Sequence, residues 1–279
     1  MRPSAKITCL VDDCVHQMGL LAEHGLSFLV EANGTQVLLD TGATDVILRN
    51  ADALSIDLSQ IDAVVISHGH YDHTGGLPSL LKRIGAVTIY CHPYATREKL
   101  VVREEGKQIY AGPSWNTEDL EKLGARFDYS AQARTIGPGL RVTGEIPRVH
   151  PQEPVPAMFQ RKTDSGLVHD DMPDDQCLLV ETPKGIIVVL ACTHAGIINT
   201  LDHIDSLTGC QPIRAIIGGL HLVGGDPDRI CWTIDRLKPR DIGLMALSHC
   251  TGLEATCALM HAFPGSCQTV PAGTVLEFD

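Results

Sequence analysis

An apolar run, Ile61–Ser67, ends directly in His68-Gly69-His70-Tyr71-Asp72-His73-Thr74-Gly75-Gly76. Three histidines and an aspartate fall within six positions, in a chain with only 13 histidines among 279 residues. A regular strand or helix would splay some of these side chains apart, so the pattern demands a buried strand opening into a turn that gathers them. Neutral imidazole and carboxylate are the ordinary ligands of Zn²⁺ and Fe²⁺. Gly69, Gly75 and Gly76 are expected to supply the backbone freedom of that turn. The first constraint on the fold is therefore a strand edge built to hold metal.

The remaining elements are consistent with such an edge. Ile7–Val11 reads as a strand. Leu26–Glu31 and Gln36–Asp40 flank an Asn33-Gly34 turn, a hairpin signal. Thr44–Ala53 has helical spacing. Glu118–Leu123 is expected to be a short helix and Leu140–Thr143 a short strand. Cys177–Glu181 and Ile186–Ala191 form a second hairpin. They are followed by helix Gly196–Leu207, strand Ile213–Gly218, helix Asp228–Leu237, strand Ile242–Leu247, helix Thr251–His261 and strand Thr274–Phe278. Roughly 90 to 170 holds seven prolines, from Pro93 to Pro156, and reads as a loop-rich insertion within a single domain spanning 1–279. Residues 37–68 and 189–221 each read as strand, turn, helix, strand and histidine. That weak internal repeat suggests two halves aiming equivalent loops at one central site.

Composition narrows the function classes. Hydrophobic residues make up 44% and aromatics 4%, a balance that suits buried strands covered by helices. The formal charge of −12 argues against binding to nucleic-acid backbone or to anionic membrane, but leaves room for a small anionic substrate at a metal. No apolar run approaches the roughly 20 residues of a membrane span, and Asp12 and Asp13 break any signal-like stretch, so the expected compartment is the cytoplasm. The ten cysteines contain no CxxC pair and are expected to be reduced, several of them in buried strands (Cys9, Cys177, Cys192).

Three further histidines end apolar strand-like runs: His194 in IIVVLACTH, His221 in IRAIIGGLH and His249 in IGLMALSH. Strand ends at one edge of an α/β protein are where sites collect. HGHYDH resembles the HxHxDH signature of the metallo-β-lactamase superfamily, which implies a four-layer αββα sandwich with one or two metals at one edge. On that resemblance His68 and His70 hold metal 1, whereas Asp72, His73 and His249 hold metal 2. The implied ion is Zn²⁺, with Fe or Mn as alternatives. His194 falls near the position where the superfamily has a bridging Asp, and it is assigned as a ligand of one metal. His221 is a substrate contact, a proton donor or a further ligand. The superfamily's middle metal 1 histidine has no clear counterpart. His169 is nearest in order and His150 the lesser candidate, while Asp175 reads as part of an exposed turn. His24 either reaches the site or faces solvent, and Cys250 stands where it can tune or replace a ligand.

The strings AEHGLSFLVE, VLLDTG, ISHGHYDHTGGL, PDDQCLLVET, CTHAGIINTL, IIGGLHL and SHCTG resemble a narrower branch, the 7,8-dihydropterin-6-methyl-4-(β-D-ribofuranosyl)aminobenzene-5′-phosphate synthases. That resemblance implies an enzyme acting on a phosphorylated small molecule, joining a dihydropterin diphosphate to a ribofuranosyl aminobenzene phosphate. Asp72 and His221 are the expected catalytic groups, orienting a nucleophile and delivering a proton. Two other readings stand beside it: a metallo-hydrolase of a phosphoester, thioester or lactone, and a non-catalytic metal-binding sensor.

Overall fold

The computed structural model describes residues 4–279. Two seven-stranded sheets lie face to face. In the first the order is Val275–Phe278, Ala5–Val11, Ser27–Ala32, Thr35–Leu39, Ala63–Val65, Val87–Cys91 and Ala125–Tyr129. In the second it is Cys267–Thr269, Met245–Leu247, Ile213–Gly218, Gly185–Val189, Leu178–Thr182, Leu140–Val142 and Arg134–Gly137. Each sheet is half antiparallel and half parallel, and the switch falls at Thr35–Leu39 in one and at Gly185–Val189 in the other. The two switch strands begin the two βαβ units expected from the internal repeat, so the likeness in sequence is a likeness in topology.

Burial explains the layers. Between the sheets, Ile7, Phe28, Val30, Val37, Leu39 and Val65 meet Leu178, Val180, Ile187, Val189, Ala215 and Ile217. Each fully buried aliphatic side chain stabilises the fold by about 1.5–3 kcal/mol relative to exposure. On the outer face of the first sheet, Leu38, Val64 and Ile89 are covered by Ile47 and Ala51 of helix Val46–Ala53. Leu77, Leu80 and Leu81 of helix Leu77–Ile84 complete that layer. Helices Ile197–Thr208, Pro227–Leu237 and Leu253–Ala262 cover the second sheet. The result is the αββα sandwich that the motif implies.

Local chemistry places the boundaries. Asn33 and Gly34 both take positive φ, 52° and 80°, as a two-residue hairpin turn requires, and Ala32 faces Thr35. The last helix starts at Leu253 and not at Thr251. Gly252 sits at φ 77° with no room for a Cβ beside Val223, and residues His249–Thr251 form a 3₁₀ turn before it.

The middle of the chain, loop-rich as expected, also carries short strands. Leu100–Val102, Gln108–Tyr110, Phe159–Thr163 and Gly166–His169 make a separate four-stranded sheet. Val87–Cys91 and Ala125–Tyr129 extend the first large sheet, and Arg134–Gly137 with Leu140–Val142 extend the second. Among the described residues, no helix is long and apolar enough to cross a membrane.

Candidate metal centre

The turn after strand Ala63–Val65 runs through a single helical turn, Tyr71–Thr74, that carries Asp72 and His73. Its glycines do not serve as expected. Gly75 and Gly76 hold ordinary helical φ values, −69° and −75°. What they and Gly69 provide is close approach. A Cβ on Gly69 would stand 2.0 Å from the Ala95 carbonyl oxygen, one on Gly75 2.1 Å from that of Ala43, and one on Gly76 2.2 Å from that of Thr41. The loop is wedged against three backbone carbonyls.

Carboxylates behind the histidines aim them. Asp40 Oδ2 lies 2.7 Å from His73 Nδ1 and 2.6 Å from Ser67 Oγ. Ser67 Oγ is in turn 2.9 Å from His68 Nδ1. Asp13 Oδ1 lies 2.6 Å from His249 Nδ1, and its other oxygen 3.0 Å from His24 Nδ1. Each contact fixes one ring nitrogen and turns the other inward, as the outer partners of metal-binding histidines do. The inward atoms converge. Asp72 Oδ2 is 3.5 Å from His73 Nε2, 3.4 Å from His249 Nε2 and 3.5 Å from His24 Nε2. His68 Nε2 and His70 Nδ1 face each other at 3.0 Å. The ring centres of His194 lie 4.8 Å from His68, 5.0 Å from His70 and 4.0 Å from His221.

Electrostatics fit a cation site. Burial foremost, with the neighbouring imidazoles, holds His68 and His194 well below the usual histidine range, and burial lowers His70 to about 3. These rings are therefore neutral, the form that binds metal. Burial opposes ionisation of Asp72, but His73 and His249 outweigh it and keep the carboxyl well below its ordinary range. His249 runs the other way: burial lowers it, yet the bonds to Asp13 and Asp72 raise it well above normal. Both ring nitrogens of His194 and Nδ1 of His221 are buried with no hydrogen-bond partner among the described residues. Orphaned buried nitrogens of this kind are costly unless something binds them. Thr193, His221 and His249 hold left-handed φ values of 60°, 46° and 45°, strain of the sort that concentrates at functional sites.

The turn at 68–73 thus meets His194, His221 and His249 from the other half of the chain, and His24 joins them. The two candidates for the missing metal 1 histidine do not. His169 is paired with Asp171 at 3.8 Å with its side chain 43% exposed, and His150 with Asp202 at 2.8 Å. Both lie on the loop-rich middle segment and line a different hollow, with Arg148 and Glu153. Asp175 is not in an exposed turn. It is buried behind His194 and accepts the Ala195 N–H at 2.6 Å, and burial raises its carboxyl to about 6.

Sequence reasoning passed over several residues. Asp13 and Asp40 registered only as a charge and a strand end, although both brace histidines of the cluster. Cys192 registered as one buried strand thiol among several, yet its Sγ is 3.2 Å from His73 Nε2. Lys99 is fully buried, donates to Asp174 at 2.9 Å and lies near Asp170 at 3.8 Å, while Asp174 also accepts the Gly69 N–H at 2.8 Å. Nothing in the string REKLVV separates such a lysine from a surface one. Above the cluster lies a cavity of about 300 Å³, roofed by Val101, Ile109, Met158 and Phe159 of the four-stranded sheet and its flank, with Arg103 on its wall.

A family model of the metallo-beta-lactamase superfamily matches residues 21–193, more than half of the chain and the whole of the HGHYDH turn. The chain belongs to the metallo-beta-lactamase superfamily. Within it, the chain is 33% identical to the 7,8-dihydropterin-6-methyl-4-(beta-D-ribofuranosyl)-aminobenzene-5'-phosphate synthase of Methanocaldococcus jannaschii, over 98% of this chain and 96% of the relative. The solved structure of Tm1679, a metal-dependent hydrolase of the beta-lactamase superfamily, superposes with a TM-score of 0.85 at 30% identity, covering 99% of both chains. The Zn²⁺-bound PqqB of Methylobacterium extorquens superposes at 0.58 with 13% identity, over 98% of this chain and 100% of that one, a likeness of fold alone. Superfamily members usually bind divalent metals, and the clustered imidazole, carboxylate and thiol donors of this chain fit such ions.

Proposed function

We propose that this chain is a divalent-metal-dependent enzyme acting on a phosphorylated small molecule, and that its reaction joins a dihydropterin diphosphate to a ribofuranosyl aminobenzene phosphate. The observation that carries this reading is the 33% identity to the Methanocaldococcus jannaschii synthase across 98% of the chain. The assigned ligands are His68, His70, Asp72, His73, His194 and His249. Bound metal would neutralise phosphate oxygens and stabilise the leaving diphosphate. In the condensation, the aryl amine nitrogen bonds to the methylene carbon on the pterin as the carbon–oxygen bond to diphosphate breaks, and the amine then gives up a proton.

The chain's own residues supply the surroundings. Phe159, Val101 and Ile109 present an apolar surface to a flat ring, and Arg103 offers a guanidinium to a phosphate on the same cavity wall. His221, with a buried unpaired Nδ1 at the cavity floor, is placed to move a proton. The four-stranded roof limits the access of water, which would otherwise compete with the amine.

A second reading, plain hydrolysis of a phosphoester, thioester or lactone, is favoured by the likeness to Tm1679, described as a metal-dependent hydrolase. The test incubates Zn²⁺-loaded protein with both condensation substrates and, separately, with a panel of those three ester classes. The expected result is the coupled pterin product by mass spectrometry with release of diphosphate. Turnover of a panel ester with no coupled product selects the hydrolase. His68→Ala and Asp72→Ala should each lose both metal and turnover, and a variant that keeps both removes the assigned role.

A further inference from the structure

We propose that the centre contains sulfur: the Cys192 thiolate is shared between the two cation positions, with Cys250 beside it, and it strengthens the preference that the imidazoles set for Zn²⁺ or Fe²⁺ over Mg²⁺. The proposal rests on the reading above that the cluster holds divalent metal. Cys192 Sγ lies in three separate groupings whose ligand atoms are all within 4.8 Å of one another. The first is with His68 and His194, the second with His73 and His249, and the third with His221 and Cys250. The first two groupings correspond to the two metal positions, and this sulfur is the atom they have in common. Its neighbour Asp72 approaches only the His24, His73 and His249 side within 3.5 Å, leaving the His68–His194 side without a carboxylate at that range.

The backbone is built around these two sulfurs. Cys192 follows strand Gly185–Val189, and the next residue, Thr193, is held in its left-handed turn by a hydroxyl bond to the Gly219 carbonyl at 2.7 Å. A Cβ on Gly219 would come within 2.5 Å of Cys250 Sγ, so only glycine leaves that thiol its place. Cys250 Sγ points at the Cys192 carbonyl at 3.3 Å, and both thiols are buried and free. Thiolate donors favour Zn²⁺ and iron, whereas Mg²⁺ takes oxygen ligands almost exclusively. The imidazoles already favour Zn²⁺ and iron, and a thiolate adds to that preference.

The test is spectroscopic and does not depend on turnover. Protein loaded with Co²⁺ is expected to show an intense near-ultraviolet sulfur-to-cobalt charge-transfer band beside its visible ligand-field bands. Cys192→Ser should abolish most of that band and weaken Zn²⁺ binding roughly tenfold or more, Cys250→Ser should reduce the band in part, and Cys267→Ser should leave it unchanged. Should Cys192→Ser fail to fold, the ¹¹³Cd resonance of cadmium-loaded wild-type protein reports sulfur ligation by its downfield shift. Co²⁺ bound with ligand-field bands but no charge-transfer band, or a cadmium shift in the nitrogen–oxygen range, overturns the sulfur assignment while the metal centre stands. A full band in Cys192→Ser overturns it equally. Failure to bind Co²⁺ at all removes the metal reading and this proposal with it.

Discussion

At the scale of single residues, the site is a set of acids that orient bases. Asp40 alone holds His73 and Ser67, and through Ser67 it reaches His68. Asp40→Asn removes the charge and one acceptor at a stroke. Metal affinity should fall about 10–100-fold with little change in fold, read by competition against a chromophoric chelator; unchanged affinity would mean that the carboxylate does not set the imidazole. Lys99 makes a different case. Replacing it with Met leaves Asp174 and Asp170 buried without their cation, which costs about 3–5 kcal/mol. Urea denaturation of Lys99→Met tests this, and a loss below 1 kcal/mol would show the pair to be dispensable.

These residues also mark what the string of letters discloses. HGHYDH is legible because its chemistry is concentrated in six adjacent positions. The helix Leu77–Ile84 is missing from the expected elements, although Leu77, Leu80 and Leu81 stand at helical spacing. Asp13 was not legible, because it meets His249 across 236 residues and sequence carries no record of that approach. Cys192 lay hidden for the opposite reason: its apolar neighbours Val188 to Ala191 are those of any buried strand thiol.

At the scale of elements, the helix Ile197–Thr208 depends on a distant loop. Its first residue follows Gly196, at φ 91°, and no capping side chain lies next to it. Glu153 serves instead, one oxygen accepting Ile198 N–H at 2.9 Å and the other Asn199 N–H at 2.8 Å. Burial raises the Glu153 carboxyl above its ordinary value despite those two bonds. A carboxyl raised on folding stabilises fully below its unfolded pKa, 4.5, and that contribution is lost as pH climbs through the folded value. Wild-type protein should therefore lose ground to Glu153→Gln as pH rises above 4.5. Urea midpoints for both proteins from pH 4 to 8 measure the difference, and parallel profiles would show that Glu153 does not titrate differently on folding. The same glutamate tethers the 150–155 loop beside the strand that carries Phe159.

At the scale of the molecule, the centre is where the two halves of the sandwich meet. His68, His70, Asp72 and His73 belong to one sheet's edge, and Cys192, His194, His221 and His249 to the other's. A cation bound by both sets exists only in the assembled fold. At 100 times its dissociation constant it adds about 2.7 kcal/mol, or about 5 °C in melting temperature for a chain of this length. Thermal scans after chelation, and again after adding Zn²⁺, should show that fall and its recovery. Identical melting curves would place no shared ion between the halves.

Among the described residues, the four-stranded roof exchanges no ladder hydrogen bonds with either large sheet. It touches the floor through a few anchors such as the Tyr71 N–H bond to the Ala111 carbonyl at 3.0 Å. The residues clustered at the floor and the sheet that would meet the rest of a guest molecule therefore belong to separate hydrogen-bonded units. Drift in the roof can redraw the guest list of such a protein while the reactive floor stays as it was.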